Sequence, residues 1–320
     1  MIKRMYIKKI IISTSVLFSL FLMYLIPSKE DIIVSLDGDI TYVDMEVTKG
    51  VIFLLDQNEF IARTKIVLSD NTDIEQKARD LLEVLIVDGE GESKIPSGFK
   101  SIIPSDTKIL SLDFDNGLIK VNFSSDILEI NSKYEEKLIE AIVYTLTNIE
   151  GVYQVVLYVD GDILTKLPKT GINLPSTLDR SYGINKQVNI ETYKDITGVT
   201  IYYISKYNDN YYYVPVTKYV NDDREKIKII IDELASNQTF NTNLLSFLNS
   251  NTELLATEQD LTTLSLLFNK YIFDDLNDKS ILEEVIYTIS LSVADNYNVE
   301  EVIFEVENEE IYKSVLKSIE

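Results

Sequence analysis

An ordered series of apolar and polar segments occurs twice along the chain, and corresponding segments lie 143 to 148 residues apart. The first run of each copy begins at a glycine, Gly50 or Gly198, and is rich in the branched and aromatic residues that favour strands. A second run of the same character follows at residues 60–68 in the first copy and 211–220 in the second. This ordered series indicates an internal repeat in which each unit opens with two β-strands.

Apolar residues at helical spacing come next in both copies. In the first copy they lie between residues 74 and 85, behind Thr72 and Glu75, which have the spacing of a capping box. In the second copy they lie between residues 227 and 234, behind Asp222 and Glu225. The pattern predicts an amphipathic helix after the strand pair of each unit.

The second half of each unit shows the clearest match. Residues 138–147 resemble residues 281–290, with glutamate, tyrosine and threonine at coinciding positions. Ser132 and Glu135 have capping-box spacing before the first of these segments. Short apolar runs at residues 155–159 and 302–306 then close the units, which predicts a second helix followed by a strand in each.

Between the two helices of the first unit, residues 109–114 and 118–123 alternate around Asn116-Gly117, a pair typical of two-residue hairpin turns. The second unit lacks this pair, and residues 258–260 are expected to lead into a strand at 261–268. Each unit thus reads β-β-α-β-β-α-β. The predicted fold class is α/β (α+β), with two small domains that are each a β-sheet carrying two helices on one face.

An uncharged run at residues 10–26 follows four cations at the N-terminus, which predicts a single transmembrane helix with the remainder of the chain outside the cytoplasm. A cleaved signal peptide is the second interpretation, although no small-x-small cleavage site follows the run. Proline, glycine and polar residues mark a connection between the units. The predicted domains are a cytoplasmic basic tip and anchor (1–27), a spacer (28–49), a first unit (50–165), a linker (166–197) with a short strand within 188–193, and a second unit (198–314).

The 320 residues include no His, Cys or Trp, which removes the Ser-His-Asp and Cys-His nucleophile systems and the usual zinc sites. The residues after position 27 hold 26 of the 30 basic side chains and all 52 acidic ones. Nucleic-acid binding is not expected, because such an acidic surface repels phosphate backbones. No cofactor, metal or catalytic residue is predicted.

Carboxylates suggest two further interpretations. Asp113, Asp115 and Gly117 resemble the start of a calcium loop, but the spacing is one residue short and the hairpin explains the same residues. Glycosidases need only two carboxylates, and with 52 acids some pair always lies at a suitable distance. Binding or hydrolysis of cell-wall glycan therefore stays open as the alternative function.

A cluster of tyrosines in the opening strands of the second unit is the candidate protein-binding site. Alternation places Tyr211 and Tyr213 on one face of a strand and Tyr212 on the other. Structural packing is the first interpretation of the cluster, protein binding the second and sugar binding the third. Pro215 favours an edge position for its strand, where a partner strand could add. The candidate residues are Tyr202, Tyr203, Tyr211, Tyr212 and Tyr213.

Three segments of the first unit resemble the GerMN domain, the repeated unit of GerM-type sporulation and spore-germination proteins. They are residues 112–126, residues 140–146, and the closing Tyr158-Val159-Asp160-Gly161. Two departures stand out. The chain has no Cys that could carry a lipid, and the second unit has Glu307-Asn308 in place of Asp160-Gly161.

The resemblance implies a non-enzymatic scaffold or assembly factor of a cell-envelope complex, built from domains that look like ring-building modules. Its partners would be other envelope proteins, with homo-oligomerisation and contact with peptidoglycan left open. The body would be extracytoplasmic and held at the cell membrane through the N-terminal helix.

Overall fold

The computed structural model describes residues 49–68, 73–236 and 243–318, which belong to one compact unit. The described residues form four α-helices and fourteen strands. The helices are α1 (Ile74–Leu85), α2 (Glu135–Leu146), α3 (Lys226–Ala235) and α4 (Glu283–Asn296). The strands are β1 (Lys49–Asp56), β2 (Ile61–Val67), β3 (Phe99–Lys100), β4 (Ile109–Asp115), β5 (Leu118–Phe123), β6 (Gln154–Val159), β7 (Asp162–Ile163), β8 (Gln187–Asn189), β9 (Ile196–Tyr207), β10 (Asn210–Asn221), β11 (Leu254–Asp260), β12 (Thr263–Phe268), β13 (Glu301–Val306) and β14 (Glu309–Val315).

The internal repeat is real, because two four-stranded sheets share one topology. Their strand orders are β4-β5-β6-β7 and β11-β12-β13-β14. In both sheets the central pair is parallel and the two outer pairs are antiparallel. The parallel pair needs a crossover, which α2 supplies in the first domain (β1 to β7) and α4 in the second (β9 to β14). The sequence pattern did not reveal β3, β7 or β14.

Both hairpins of these sheets form, although only one was predicted in full. Asn116 and Gly117 have φ values of 48° and 84°, as the predicted two-residue turn requires. In the second domain, residues 258–260 belong to β11, and the turn is made by Leu261 at φ 44°. The prediction of a lead-in segment there was wrong, because the hairpin persists without Asn-Gly.

The arrangement of one sheet per domain was also wrong. The opening hairpins of the two domains, β1–β2 and β9–β10, lie in one shared six-stranded sheet of order β3-β1-β2-β10-β8, with β9 on β10. The direct contact between the domains in this sheet is a single pair, Arg63 of β2 with Tyr213 of β10. Each domain therefore divides its strands between its own sheet and the shared one.

Asn185 of the connecting segment completes the junction between β2 and β10. Its side-chain oxygen accepts from the Ile61 amide at 2.9 Å, and its amide nitrogen donates to the carbonyls of Ile61 (2.7 Å) and Pro215 (2.8 Å). Pro215 was predicted to lie on an edge strand, but β10 is internal. The proline is tolerated because its missing N–H falls where the ladder is interrupted. There the Asn185 side chain, and not a neighbouring strand, bonds to the Pro215 carbonyl.

Three helix starts differ from the predicted capping boxes. Asp73 is the N-cap of α1, whereas Thr72 lies outside the described residues. A 3-10 turn that begins at Ser132 precedes α2, and the Glu135 carboxylate turns to the backbone of the connecting segment. The third helix is capped by Glu225, three residues after the predicted position. In the last two cases the glutamate bonds to a distant part of the chain instead, Glu135 to residues 169–170 and Glu225 to Thr257, while the Asp222 carboxylate binds Arg224.

The sequence comparison aligned the second helices of the two units one helical turn away from the register that the structure shows. The Thr145 hydroxyl accepts from the Phe53 amide of β1 at 3.0 Å, and the Ser292 hydroxyl accepts from the Tyr202 amide of β9 at 2.9 Å. The two hydroxyl residues lie 147 positions apart, the offset that also relates β6 to β13. Because helical apolar patterns nearly repeat every four residues, the sequence alone allowed the wrong register.

The segment that connects the domains is packed rather than loose. Four of its aliphatic side chains are buried, namely Leu167, Leu174, Leu178 and Ile184. The short strand expected within residues 188–193 is β8, which runs parallel to β10 at residues 187–189.

The predicted anchor at residues 10–26 lies outside the described residues. Within the described part of the chain, no helix is both long and apolar enough to cross a membrane.

The junction predicts a large effect of Asn185→Ala on stability. The substitution leaves the polar groups of Ile61 and Pro215 without their partner, so the free energy of unfolding should fall by about 2–4 kcal/mol in urea denaturation. Asn189→Ala, at an exposed position of β8, is the matched control and should change it by less than about 0.5 kcal/mol. Equal effects of the two substitutions would contradict this role of Asn185.

Candidate functional site

The five candidate tyrosines lie mostly inside the protein. Tyr202 and Tyr203 are each 1% exposed and Tyr212 is 6% exposed, whereas Tyr211 is 46% exposed and Tyr213 is half-buried. The predicted alternation along β10 is present. Partner binding through the cluster stays a prediction, and the exposure on which it depended holds only for Tyr211 and in part for Tyr213.

Tyr212 joins the two domains. Its hydroxyl donates to the Asp56 carboxylate of β1 at 2.8 Å and accepts from the Ser205 hydroxyl at 3.0 Å. Its ring meets Phe99 edge-on, with centroids 4.9 Å apart. Burial raises the pKa of Tyr212 to about 12, so the hydroxyl stays protonated and remains a donor.

Tyr202 belongs to a buried polar cluster at the same junction. Its hydroxyl donates to Asp295 of α4 at 3.0 Å, and Asp295 also pairs with Arg180 of the connecting segment. The Arg180 guanidinium donates in addition to Thr147 at 3.2 Å and lies over the Tyr144 ring at 4.7 Å. The cluster thus ties together both domains and the segment between them. A buried pair of this kind is costly to break, because one charge is left without its partner.

The two more exposed tyrosines are also held by contacts within the chain. Tyr211 meets Phe247 edge-on at 5.4 Å, and the Lys206 ammonium lies 5.5 Å from its ring centroid. Tyr213 meets Tyr287 of α4 at 5.9 Å. Contacts within the chain therefore hold four of the five residues, and the fifth, Tyr203, is buried with no hydrogen-bond partner for its hydroxyl among the described residues.

A cleft of about 520 Å³ opens beside the buried polar cluster, between the two domains. Lys317 of the second domain reaches Glu150 of the first at 3.5 Å and Glu300 at 4.0 Å. The charged residues that line the cleft are Lys49, Arg63, Lys77, Arg180, Lys317, Glu150, Asp295 and Glu300. With five basic and three acidic side chains, the cleft is locally positive on an otherwise strongly acidic protein. It has room for a small anionic group.

The calcium-loop interpretation receives no support from the hairpin. Asp113 pairs with Lys120 across it at 3.2 Å, and Asn116 donates to Asp115 at 2.8 Å. Across residues 49–68, 73–236 and 243–318, no group of three or more acidic side chains is placed to hold a metal ion.

Glu140 of α2 is the buried carboxyl closest to the Asn185 junction. It is 2% exposed, accepts from the Asn185 backbone amide at 2.9 Å, and lies 3.9 Å from the Lys186 ammonium. Burial raises its pKa from 4.5 to about 7, because desolvation outweighs these stabilising contacts. The junction therefore contains a group that titrates near neutral pH.

Sequence reasoning missed Glu140, Arg180, Asn185 and Asp295 as residues of one junction. Glu140 lies in a segment predicted as a helix, where charged residues normally face solvent. Arg180 and Asn185 lie in the predicted linker. The one available signal was the length of the linker, since long connections without their own secondary structure are uncommon in compact domains.

Two α+β units of one topology, joined through a shared sheet, define a protein with GerMN domains in tandem. The solved structure of the tandem GerMN domains of the sporulation protein GerM from Bacillus subtilis superposes with a TM-score of 0.74, at 26% identity, over 82% of this chain and 92% of that chain. The spore germination protein GerM of Bacillus subtilis (strain 168) is 28% identical over 264 residues, which cover 80% of this chain and 70% of that protein.

The family model described as Germane, sporulation and spore germination, matches residues 51–165 and 200–312. The chain belongs to this family.

The raised pKa of Glu140 makes stability depend on pH. The protonated carboxyl is favoured in the folded state, so its contribution is fully present below pH 4.5 and is lost as the pH rises through 7. Glu140→Gln keeps the acceptor for the Asn185 amide and removes the titration. Between pH 4.5 and 8 the variant should gain stability relative to the parent, by up to about 3 kcal/mol, in urea denaturation at each pH. A stability difference that stays constant with pH would contradict this assignment.

Proposed function

We propose that this protein is a non-enzymatic scaffold or assembly factor of a cell-envelope complex that acts in sporulation or germination. Its similarity to GerM, which is named as a spore germination protein, supports the process. The apolar run at residues 10–26 supports attachment to the cell membrane as a single-pass anchor, with the two domains outside the cytoplasm.

The observation that carries the scaffold role is the junction between the domains. A shared sheet, the Asn185 side chain and the Arg180–Asp295 pair join the two domains into one body. Two separately tethered modules would reorient relative to each other, whereas joined modules hold two partners at a fixed separation. Fixed geometry is what a scaffold contributes.

The chemistry of the described carboxyls supports a role without catalysis. A glycosidase needs an acid with a raised pKa that reaches the glycosidic oxygen. Glu140 has the raised pKa, but it is 2% exposed and bonded to the Asn185 amide, and it does not line the cleft. Glu140 is therefore out of reach of a sugar. Burial also raises the pKa of Asp295, which does line the cleft, but this carboxylate is held by the Arg180 guanidinium and the Tyr202 hydroxyl.

Complementation with Glu140→Gln, taken together with an assay for muropeptide release, separates a scaffold from a hydrolase. In a deletion strain of the source organism, the full-length parent and the Glu140→Gln variant should restore spore formation or germination equally. The soluble fragment from residue 28 onward should release no muropeptides from purified peptidoglycan, with lysozyme as the positive control.

A folded Glu140→Gln variant that fails to complement, together with muropeptide release by the parent fragment, would replace the scaffold by a carboxylate-based hydrolase. The localisation is checked in the same strains. A reporter fused after Glu320 should be active only outside the cytoplasm.

A further inference from the structure

Both domains carry a β-bulge at the same place on the outer strand of their four-stranded sheet. In the first domain Ile109 pairs with Phe123 and Ser111 with Asn122, so that Leu110 is the extra residue. In the second domain Leu254 pairs with Phe268 and Ala256 with Leu267, so that Leu255 is the extra residue. Bulges re-aim a side chain away from the regular pleat. The two extra residues are leucines, and both are exposed, at 49% and 56%.

The surroundings of the two leucines repeat as well. Asp113 and Asp115 follow Leu110 by three and five residues, and Glu258 and Asp260 follow Leu255 by the same distances. All four acids are exposed. Asp113 pairs with Lys120 at 3.2 Å, but a surface pair of this kind contributes little. Each outer strand therefore presents one apolar side chain, followed farther along the same strand by two carboxylates.

The backbone of these strands is poorly suited to pair with another strand. The Phe114 amide of β4 donates to the Glu75 carboxylate of α1 at 2.9 Å. In the second domain the contact at this place is between side chains, with Glu225 before α3 accepting from the Thr257 hydroxyl of β11 at 3.0 Å, so there the bulge alone disturbs the backbone. The bulge interrupts the rest of each strand, and short or bulged edges resist strand addition. What the two strands offer to a partner is therefore their side chains.

Single exposed leucines are common on protein surfaces and alone indicate nothing. Here a leucine stands on the same bulge, with acidic residues at the same spacing, in two domains whose helix caps and hairpin turns have diverged. About half of each leucine side chain stays exposed, so packing within the fold uses only part of it. Binding to a partner gives a reason for the repetition, because a leucine followed by acidic residues fits an apolar pocket with a basic rim.

We propose that Leu110 and Leu255 are equivalent anchors for one partner protein, each entering a copy of the same apolar pocket edged by lysine or arginine. This inference rests on the proposed scaffold function. Because the chain presents the anchor twice, the partner is an oligomer, and the chain bridges two of its subunits. Two linked sites bind more tightly than either alone, by roughly 10²–10⁴-fold when both can engage.

A photoreactive amino acid placed at position 110 or 255 of the full-length chain tests the proposal in cells. Both positions should crosslink to the same envelope protein, and the crosslinked peptides of that protein should map to one apolar site with basic neighbours. Leu276 is 62% exposed and lies outside the outer strands, so it provides the matched control position. Crosslinks from 110 and 255 to different proteins would overturn the proposal.

Substitutions give the second measurement. Leu110→Ser and Leu255→Ser should each lower recovery of the crosslinked partner about tenfold or more, and the double substitution should abolish it, because binding falls back to a single site and then to none. Leu276→Ser should leave recovery unchanged, and urea denaturation should show all variants to be as stable as the parent.

Failure of this inference and failure of the scaffold function are distinguishable. If positions 110 and 255 yield no crosslink while Tyr211, replaced in the same way, does, then the leucines are not the anchors and the scaffold function stands. If no exposed position yields an envelope partner, both proposals are wrong.

Discussion

The side-chain amide of Asn185 is the contact on which the arrangement of this protein depends. Between β2 and β10 only one residue pair connects the opening hairpins directly, and the next positions along the strands are joined through this amide. An amide group can imitate a peptide unit because it donates and accepts in one plane. The two hairpins therefore behave as neighbours in one sheet although the ladder between them is interrupted.

Several features follow from that junction. The connecting segment must pass over the core to deliver Asn185, which explains its four buried aliphatic residues. Arg180 precedes Asn185 on the same segment and reaches Asp295 in the second domain. Tyr202 and Tyr212 are covered at this junction, and Tyr211 is the most exposed of the candidate tyrosines. A buried carboxyl at the same junction, Glu140, makes its stability sensitive to pH.

Much of the fold could be predicted from the sequence. The repeat, its main strands and helices, and the Asn116-Gly117 turn all follow from local periodicity and turn chemistry, which act over a few residues. The shared sheet could not be predicted, because nothing local distinguishes a hairpin that pairs within its own domain from one that pairs with its sister. Thr145 and Ser292 show the same limit on a smaller scale, since helical periodicity tolerates a shift of one turn and only the contact with a strand fixes the register.

The candidate site was the least predictable part. Tyrosine is equally suited to a core and to an interface, so a tyrosine-rich strand does not reveal which it serves. Leu110 lies in a predicted strand and Leu255 precedes one, and only the strand pairing shows that each is the extra residue of a bulge. Register is a property of two strands together, and a single run of sequence does not contain it.

The two domains form one compact body through this junction, and a distance measurement tests their fixed arrangement most directly. The chain has no cysteine, so spin labels attach only at the introduced residues of a Ser125→Cys, Ser250→Cys variant, one exposed position in each domain. Double electron–electron resonance should give one narrow distance distribution, and adding Asn185→Ala should broaden it. A broad distribution in the protein that retains Asn185 would mean that the domains reorient freely, which would contradict the claim.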